Sequence, residues 1–256
     1  DHVYRWGHIS RDLLWTEEKH LHQSSSTGTF YLDNVEWLID KQRLDGQMFA
    51  FSAKGGHNNE PHNHNDIGHF VLNIGGESIL ADLGAGEYTK QYFGNQRYDS
   101  LHTGSQGHSV PIINGKTQNA GKDYVATVMN VEKYGNGAGF HMDLTPAYGI
   151  DTLKSFLRSF EWHINSTQNS ANLTLIDTFV FDSYPGKIQE CFISLIKPSI
   201  EGNTIRWVGQ YAIVVMMFDN SLKGQVDTLQ TRTHHSKPFT VYRLYLQPQN
   251  ITLSYE

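Results

Sequence analysis

Phe70-Val71-Leu72-Asn73-Ile74-Gly75-Gly76-Glu77-Ser78-Ile79-Leu80-Ala81-Asp82 reads as a β-hairpin in which two apolar runs meet at a Gly-Gly pair. The two-residue turns that match strand twist need positive φ, which glycine adopts at no steric cost. This turn fixes a register. Counting outward from it sets Asp82 opposite His69, so His64 can reach Asp82 only through a bend or bulge, and Gly68 is the obvious place for one.

Outward from the hairpin, apolar runs of strand length recur at intervals of about ten residues, the spacing of a sandwich or barrel. They are Val35 to Ile39 and Gln47 to Ala53 before it, then Tyr124 to Val131, Leu153 to Ile164, Leu173 to Phe181, Cys191 to Ile196, Tyr211 to Phe218 and Phe239 to Leu246. A chain of 256 residues can carry one large β domain. The expected class is all-β, a large antiparallel β-sandwich with a short N-terminal helical remnant. His8-Ile9-Ser10-Arg11-Asp12-Leu13-Leu14-Trp15, followed by Glu17, Glu18 and Lys19, is the one helical pattern, and Ser24-Ser25-Ser26-Thr27-Gly28 reads as a linker. Residues 1–25 are thus a helical segment plus linker, and residues 26–256 the sandwich.

The net charge of −6, with 18% charged residues and no basic run, argues against nucleic acid as a partner. Runs such as Tyr211 to Phe218 fall short of the roughly 20 apolar residues that a membrane-spanning helix requires. The single cysteine, Cys191, excludes an intrachain disulfide.

Chemistry concentrates between Gly55 and Gly115, which hold six of the fourteen histidines. In an extended strand His62, His64 and Asp66 project to one face, with Asn63 and Asn65 on the other. Two imidazoles and a carboxylate on one face suit metal binding or acid/base work.

The ordered set His62-Asn63-His64-Asn65-Asp66, Asp82-Leu83-Gly84, Arg97-Tyr98 and His108-Ser109-Val110-Pro111 resembles the heparinase II/III-like polysaccharide lyases. The resemblance implies an α/α-toroid followed by a C-terminal antiparallel β-sandwich, acting on acidic polysaccharides by β-elimination. This chain covers the sandwich; its first residues look like the last helix of a toroid whose remainder is absent. A missing N-terminal toroid and an acidic polysaccharide are therefore the expected partners; for the parent protein a periplasmic or secreted location is favoured, with the cytoplasm as the alternative.

The resemblance further implies one structural zinc held by His64, Asp82 and His108. His62 matches the histidine that faces the sugar, as a base toward C5 of a uronic acid or a support for that base. Tyr88, Tyr92 and Tyr98 are candidates for the acid at the leaving oxygen. Tyr98 is preferred, because Arg97 beside it could bind the uronate carboxylate or stabilise a phenolate. Asn63 and His102 join Arg97 as candidate substrate contacts. Asp66 either orients a ligating imidazole or serves as a turn residue. His69 is the alternative ligand if the hairpin register runs unbent, and Gln118 is a weaker candidate for touching sugar.

Hydrolysis by paired carboxylates is disfavoured if Asp82 is bound to metal, whereas elimination needs a base, a carboxylate-neutralising group and a proton donor. Two other functions compete: a non-catalytic sandwich that binds carbohydrate or packs on a toroid, and a metallohydrolase whose metal carries a nucleophilic water.

Overall fold

The computed structural model describes residues 26–184 and 186–248. The helical segment expected in residues 1–25 lies outside them. The first six strands are β1 (Gly28–Leu32), β2 (Trp37–Leu44), β3 (Gln47–Lys54), the short β4 (His57–Asn58), β5 (Phe70–Ile74) and β6 (Glu77–Leu80). All but β4 form a five-stranded sheet in the order β1-β2-β3-β5-β6. Next come β7 (Ile112–Ile113), β8 (Gly121–Val125), β9 (Thr127–Tyr134), β10 (Gly137–Asp143), the one-turn helix α1 (Thr145–Tyr148), β11 (Leu153–Asn165) and β12 (Ser170–Phe181). Of these, β12-β11-β10-β9 make a four-stranded sheet, and β8 pairs with β4. The last strands are β13 (Ile188–Ser194), β14 (Ser199–Glu201), β15 (Thr204–Val208), β16 (Ile213–Met217), β17 (Leu222–Arg232) and β18 (Pro238–Pro248). They build the sheets β17-β18-β13-β7 and β14-β15-β16. Neighbouring strands run antiparallel throughout the described residues, as a sandwich requires.

The five- and four-stranded sheets close on each other through aromatic side chains that the period-2 alternation of β3 and β11 turns inward. Phe51 stacks on Trp162 at 5.8 Å and meets Phe160 at 5.4 Å, and Phe70 meets Phe160 at 5.1 Å. Each such ring, fully buried, contributes about 1.5–3 kcal/mol by leaving water. A polar pin crosses the same layer: Trp162 Nε1 donates to Asp40 Oδ2 at 2.9 Å, and Thr29 Oγ1 donates to Asp40 Oδ1 at 2.6 Å. That satisfies a carboxylate with no solvent exposure.

The Gly75-Gly76 hairpin forms with φ of 64° and 91°, pairing Ile74 with Glu77 and Asn73 with Ser78. The register then slips: Leu72 faces Leu80, so Ile79 is an extra residue. Beyond it β6 leaves β5, and Ala81 N–H donates to Ile193 O of β13 at 2.9 Å. A second bend lies at Gly68, whose φ is 83° in a turn closed by His69 N–H donating to Asp66 O at 2.9 Å. The expected bend is therefore shared between Gly68 and a bulge in the other strand.

Other sequence expectations need correction. The run His62 to Asp66 is a loop and not a strand, and His62 sits at φ 62°. The predicted strand Tyr124 to Val131 breaks at Ala126, whose N–H is taken by Gly56 O at 2.8 Å. Strands β1, β4, β7, β10, β14, β15 and β17 went unforeseen. In β10 the sequence Gly137-Ala138-Gly139 dilutes the apolar signal, and β17 is half polar by alternation.

Candidate metal centre

Two loops carry the chemistry: residues 55–69 between β3 and β5, and residues 81–111 between β6 and β7. Buried polar side chains lock them together. Asn65 N–H donates to Thr103 O at 2.8 Å, its carbonyl accepts from Ser105 Oγ at 2.7 Å, and its Nδ2 donates to Gln118 O at 3.2 Å. Gln118, 2% exposed, accepts from Ile67 N–H at 2.9 Å and returns a bond from Nε2 to Ile67 O at 2.6 Å. Its amide is consumed by the loop backbone, a scaffold role that a polar loop residue gives no sign of in sequence.

On this frame His64, Asp66, Asp82 and His108 converge, each offering one ligand atom within 4.8 Å of the others. His64 Nδ1 lies 3.2 Å from His108 Nε2, which lies 3.5 Å from Asp82 Oδ2 and 3.9 Å from Asp66 Oδ2. Four donors at about 2.0–2.1 Å around a tetrahedral zinc stand about 3.3 Å apart, which the separations of His108 from His64 and Asp82 match, while Asp66 stands farther out. The hydrogen bonds around the donors fit as well. His108 Nδ1 faces Gly104 O at 2.9 Å, and a carbonyl only accepts, so Nδ1 carries hydrogen and Nε2 offers its lone pair when the ring is neutral. Asp82 Oδ1 accepts Gly84 N–H at 2.6 Å, which accounts for the Asp-x-Gly spacing and leaves Oδ2 turned to the cluster. Asp66 is paired with Lys54 Nζ through its other oxygen.

His69 lies beside the cluster in a different role. Its Nδ1 accepts Ser109 N–H at 2.8 Å, so the neutral ring carries its proton on Nε2, without a hydrogen-bond partner and 3.6 Å from Asp82 Oδ2. A protonated nitrogen does not ligate, so with this hydrogen bond in place His69 stands beside the cluster and outside its donor set.

Burial, then the charge of His108, pushes both His64 and His69 down to about 4, so both are neutral at pH 7. For His108 burial works the same way, but Asp82 and Asp66 outweigh it and raise its pKa. For Asp82 burial is likewise overcome: His108, His69 and the Gly84 amide hold its carboxyl well below the usual range. A cation held by His64 Nδ1 and His108 Nε2 needs both nitrogens free of protons, so metal binding competes with protonation there.

The remaining candidates surround this centre. His62 is exposed at the rim of its loop. Tyr98 Oη donates to Asn63 Oδ1 at 2.9 Å. Arg97 donates to Tyr92 O at 3.1 Å and Asn63 O at 2.9 Å, with its guanidinium 4.9 Å from the Tyr92 ring. Tyr92 is buried, and burial raises its phenol pKa. Tyr88 is half exposed and packs on Tyr92, Phe93 and His234. His102 is 3% exposed, with Nδ1 3.0 Å from Gly84 O and Nε2 2.9 Å from Thr231 Oγ1, so both nitrogens are engaged within the protein.

Sequence reasoning missed Arg158. It occupies an inward position of β11 between Phe156 and Phe160, and that interruption of an apolar face is the signal that could have found it. Fully buried, it pairs Nε with Asp177 Oδ1 at 2.8 Å and Nη2 with Glu190 Oε2 at 3.1 Å. Its Nη1 donates at 2.9 Å to both Gly68 O and Ser109 O, the residues next to His69 and His108. One guanidinium thus anchors both loops to the sandwich.

Residues 25–180 match the family model described as heparinase II/III-like, C-terminal. No curated protein matches the chain in sequence. Among solved structures, heparan sulfate lyase HepC from Pedobacter heparinus superposes with a TM-score of 0.68 at 14% identity, over 96% of this chain and 39% of that one. Heparinase III superposes with a TM-score of 0.68 at 13% identity, over 89% of this chain and 35% of that one. At such identities the likeness shows the fold alone, and the chain spans well under half the length of either structure.

Proposed function

Because this chain belongs to the heparinase II/III-like family through its C-terminal domain, we propose that it is the metal-bearing β-sandwich of a polysaccharide lyase acting on a uronic-acid-containing polymer by β-elimination. The observation that carries the reading is the convergence of His64, Asp66, Asp82 and His108 inside the segment that matches the family. His64, Asp82 and His108 would hold a structural zinc, with Asp66 as the fourth donor. Bound there, zinc supplies a fixed positive charge and a cross-link between the two loops.

The chain's own side chains divide the work around it. Tyr98, held to Asn63, protonates the leaving oxygen. Arg97 fixes the segment that carries Tyr98 by gripping two backbone carbonyls and keeps donors for a uronate carboxylate. Exposed at the loop rim, His62 takes the C5 proton or supports the group that does. Tyr92 and Tyr88 are the alternatives to Tyr98, and Tyr88, half exposed, also offers a ring face to sugar. Asn63 contacts substrate through the amide that now engages Tyr98. A non-catalytic carbohydrate-binding sandwich is the competing reading, favoured by His102 having both nitrogens tied internally.

The test is ultraviolet detection of unsaturated uronate from acidic polysaccharides. The isolated chain should give little product, since one wall of the cleft would be missing and positioning supplies much of an enzyme's rate. The chain joined to an N-terminal helical domain should give product, lost in Tyr98→Phe with metal retained. Failure of the joined protein to form any unsaturated product would overturn the lyase reading.

A further inference from the structure

A second set of donors lies on the other face of the β9–β12 sheet. Phe140 and Met142 of β10 are wholly buried, so alternation turns Gly139 and His141 to the opposite face. The register sets Gly139 opposite Glu132 on β9 and opposite Glu161 on β11. Two carboxylates therefore flank a position without a side chain. A Cβ there would stand 3.2 Å from Glu132 Oε2, 3.2 Å from Glu161 Oε1 and 2.9 Å from Tyr134 Oη. His141 brings its Nε2 to 3.2 Å from Glu161 Oε1, and His163 Nε2 lies 3.7 Å from Glu161 Oε2, its ring stacked on Tyr134. Glu132, His141 and Glu161 each offer a ligand atom within 4.8 Å of the others.

The protons do not balance. Tyr134 Oη is within hydrogen-bonding reach of both Glu132 Oε2 and Glu161 Oε2, yet a phenol has one proton to give. One carboxylate is left facing a phenolic lone pair; Asn130 Nδ2 donates to Glu132 Oε1 at 2.9 Å, and His141 and His163 lie beside Glu161. Unlike a purely acidic patch, this cluster adds imidazole nitrogen to carboxylate oxygen, a mixture that suits zinc, nickel or copper better than calcium or magnesium.

We propose that Glu132, His141 and Glu161 form a second divalent-metal site of the zinc class, with His163 as an additional donor. A cation there ties three adjacent strands on the solvent face of the sandwich. The site shares no residue with the His64, Asp66, Asp82 and His108 centre, so the two can be tested separately.

The experiment equilibrates the purified chain with zinc, removes free metal by gel filtration and measures zinc per chain. Two equivalents are expected for the wild type, one for His141→Ala and one for His108→Ala. Gly139→Ala keeps every donor but fills the space between them, and should weaken binding at this site by at least about tenfold. Circular dichroism checks that the variants fold. A single equivalent lost in His141→Ala but kept in His108→Ala would support this site and sink the first. An unchanged zinc content in His141→Ala, or a single equivalent lost only in His108→Ala, would overturn the proposal.

Discussion

Replacing Arg158 by Met tests whether one buried side chain holds the two loops in place. The change leaves Asp177 and Glu190 buried without their cation and removes the donor from Gly68 O and Ser109 O. Removing one partner of a buried ion pair typically costs about 3–5 kcal/mol. Each carbonyl left without a donor adds about 1–3 kcal/mol unless water reaches it. Glu190 moderates the loss: burial, reinforced by Asp177, raises its pKa well above the usual range, so it can take a proton when the guanidinium is gone. The expected loss is therefore about 3–5 kcal/mol, a large part of the roughly 5–15 kcal/mol that holds a domain folded. In urea this appears as a midpoint lower by about 1 M or more at unchanged slope. Arg158→Lys keeps the charge but cannot serve two carbonyls and two carboxylates at once, and should recover only part of the loss. Replacing Arg158, Asp177 and Glu190 together by apolar residues should restore stability while metal binding stays weak, because the carbonyls beside His69 and His108 remain unanchored. An Arg158→Met protein within about 1 kcal/mol of wild type, with metal affinity intact, would refute the anchoring argument.

Gln118→Leu should cost about 2–4 kcal/mol, since it strands both the N–H and the carbonyl of buried Ile67, and denaturant unfolding measures it. Tyr98→Phe removes one hydrogen bond to Asn63 and should change stability by about 1 kcal/mol or less. A large loss of lyase activity in that variant, with zinc content and unfolding temperature kept, would then report chemistry, while a collapse in stability would show a packing role. In chelator-treated protein His64 and His69, each near 4 in the folded state against 6.5 ordinarily, refuse protons that the unfolded chain accepts. Both are neutral in either state well above pH 6.5, so stability should fall as pH drops from 6.5 toward 4, partly offset by the raised pKa of His108. An unfolding temperature that holds steady or rises across that window would contradict the assignment.

Much of the fold was legible where local chemistry and tertiary structure agree. The Gly75-Gly76 turn forms as read, because positive φ at two successive residues is a local demand. The slip at Ile79 was not legible: it follows from β6 leaving β5 to meet β13, a partner more than a hundred residues away. Strand β10 was hidden by Gly137 and Gly139, whose missing side chains make room for neighbouring strands and leave no apolar pattern behind. At the candidate metal centre the structure brings together His64, Asp82 and His108, which the motif order singled out, and it adds Asp66. That Asp66 Oδ2 faces the cluster, while His69 Nδ1 is taken by the Ser109 N–H, depends on loop packing and hydrogen-bond direction, which no spacing of residues encodes. His62 was placed on a strand face with His64, and the left-handed turn at His62 breaks that alternation. His102 looked available for substrate, yet its partners Gly84 and Thr231 come from distant parts of the chain.

Zinc content and thermal unfolding of the wild type, His64→Ala and His108→Ala proteins test the metal centre most directly. Both variants should lose one equivalent of zinc relative to wild type and unfold at a lower temperature, and chelation should lower the wild-type value toward theirs. Zinc content and unfolding temperature equal to wild type in both variants would contradict a metal centre built from these side chains.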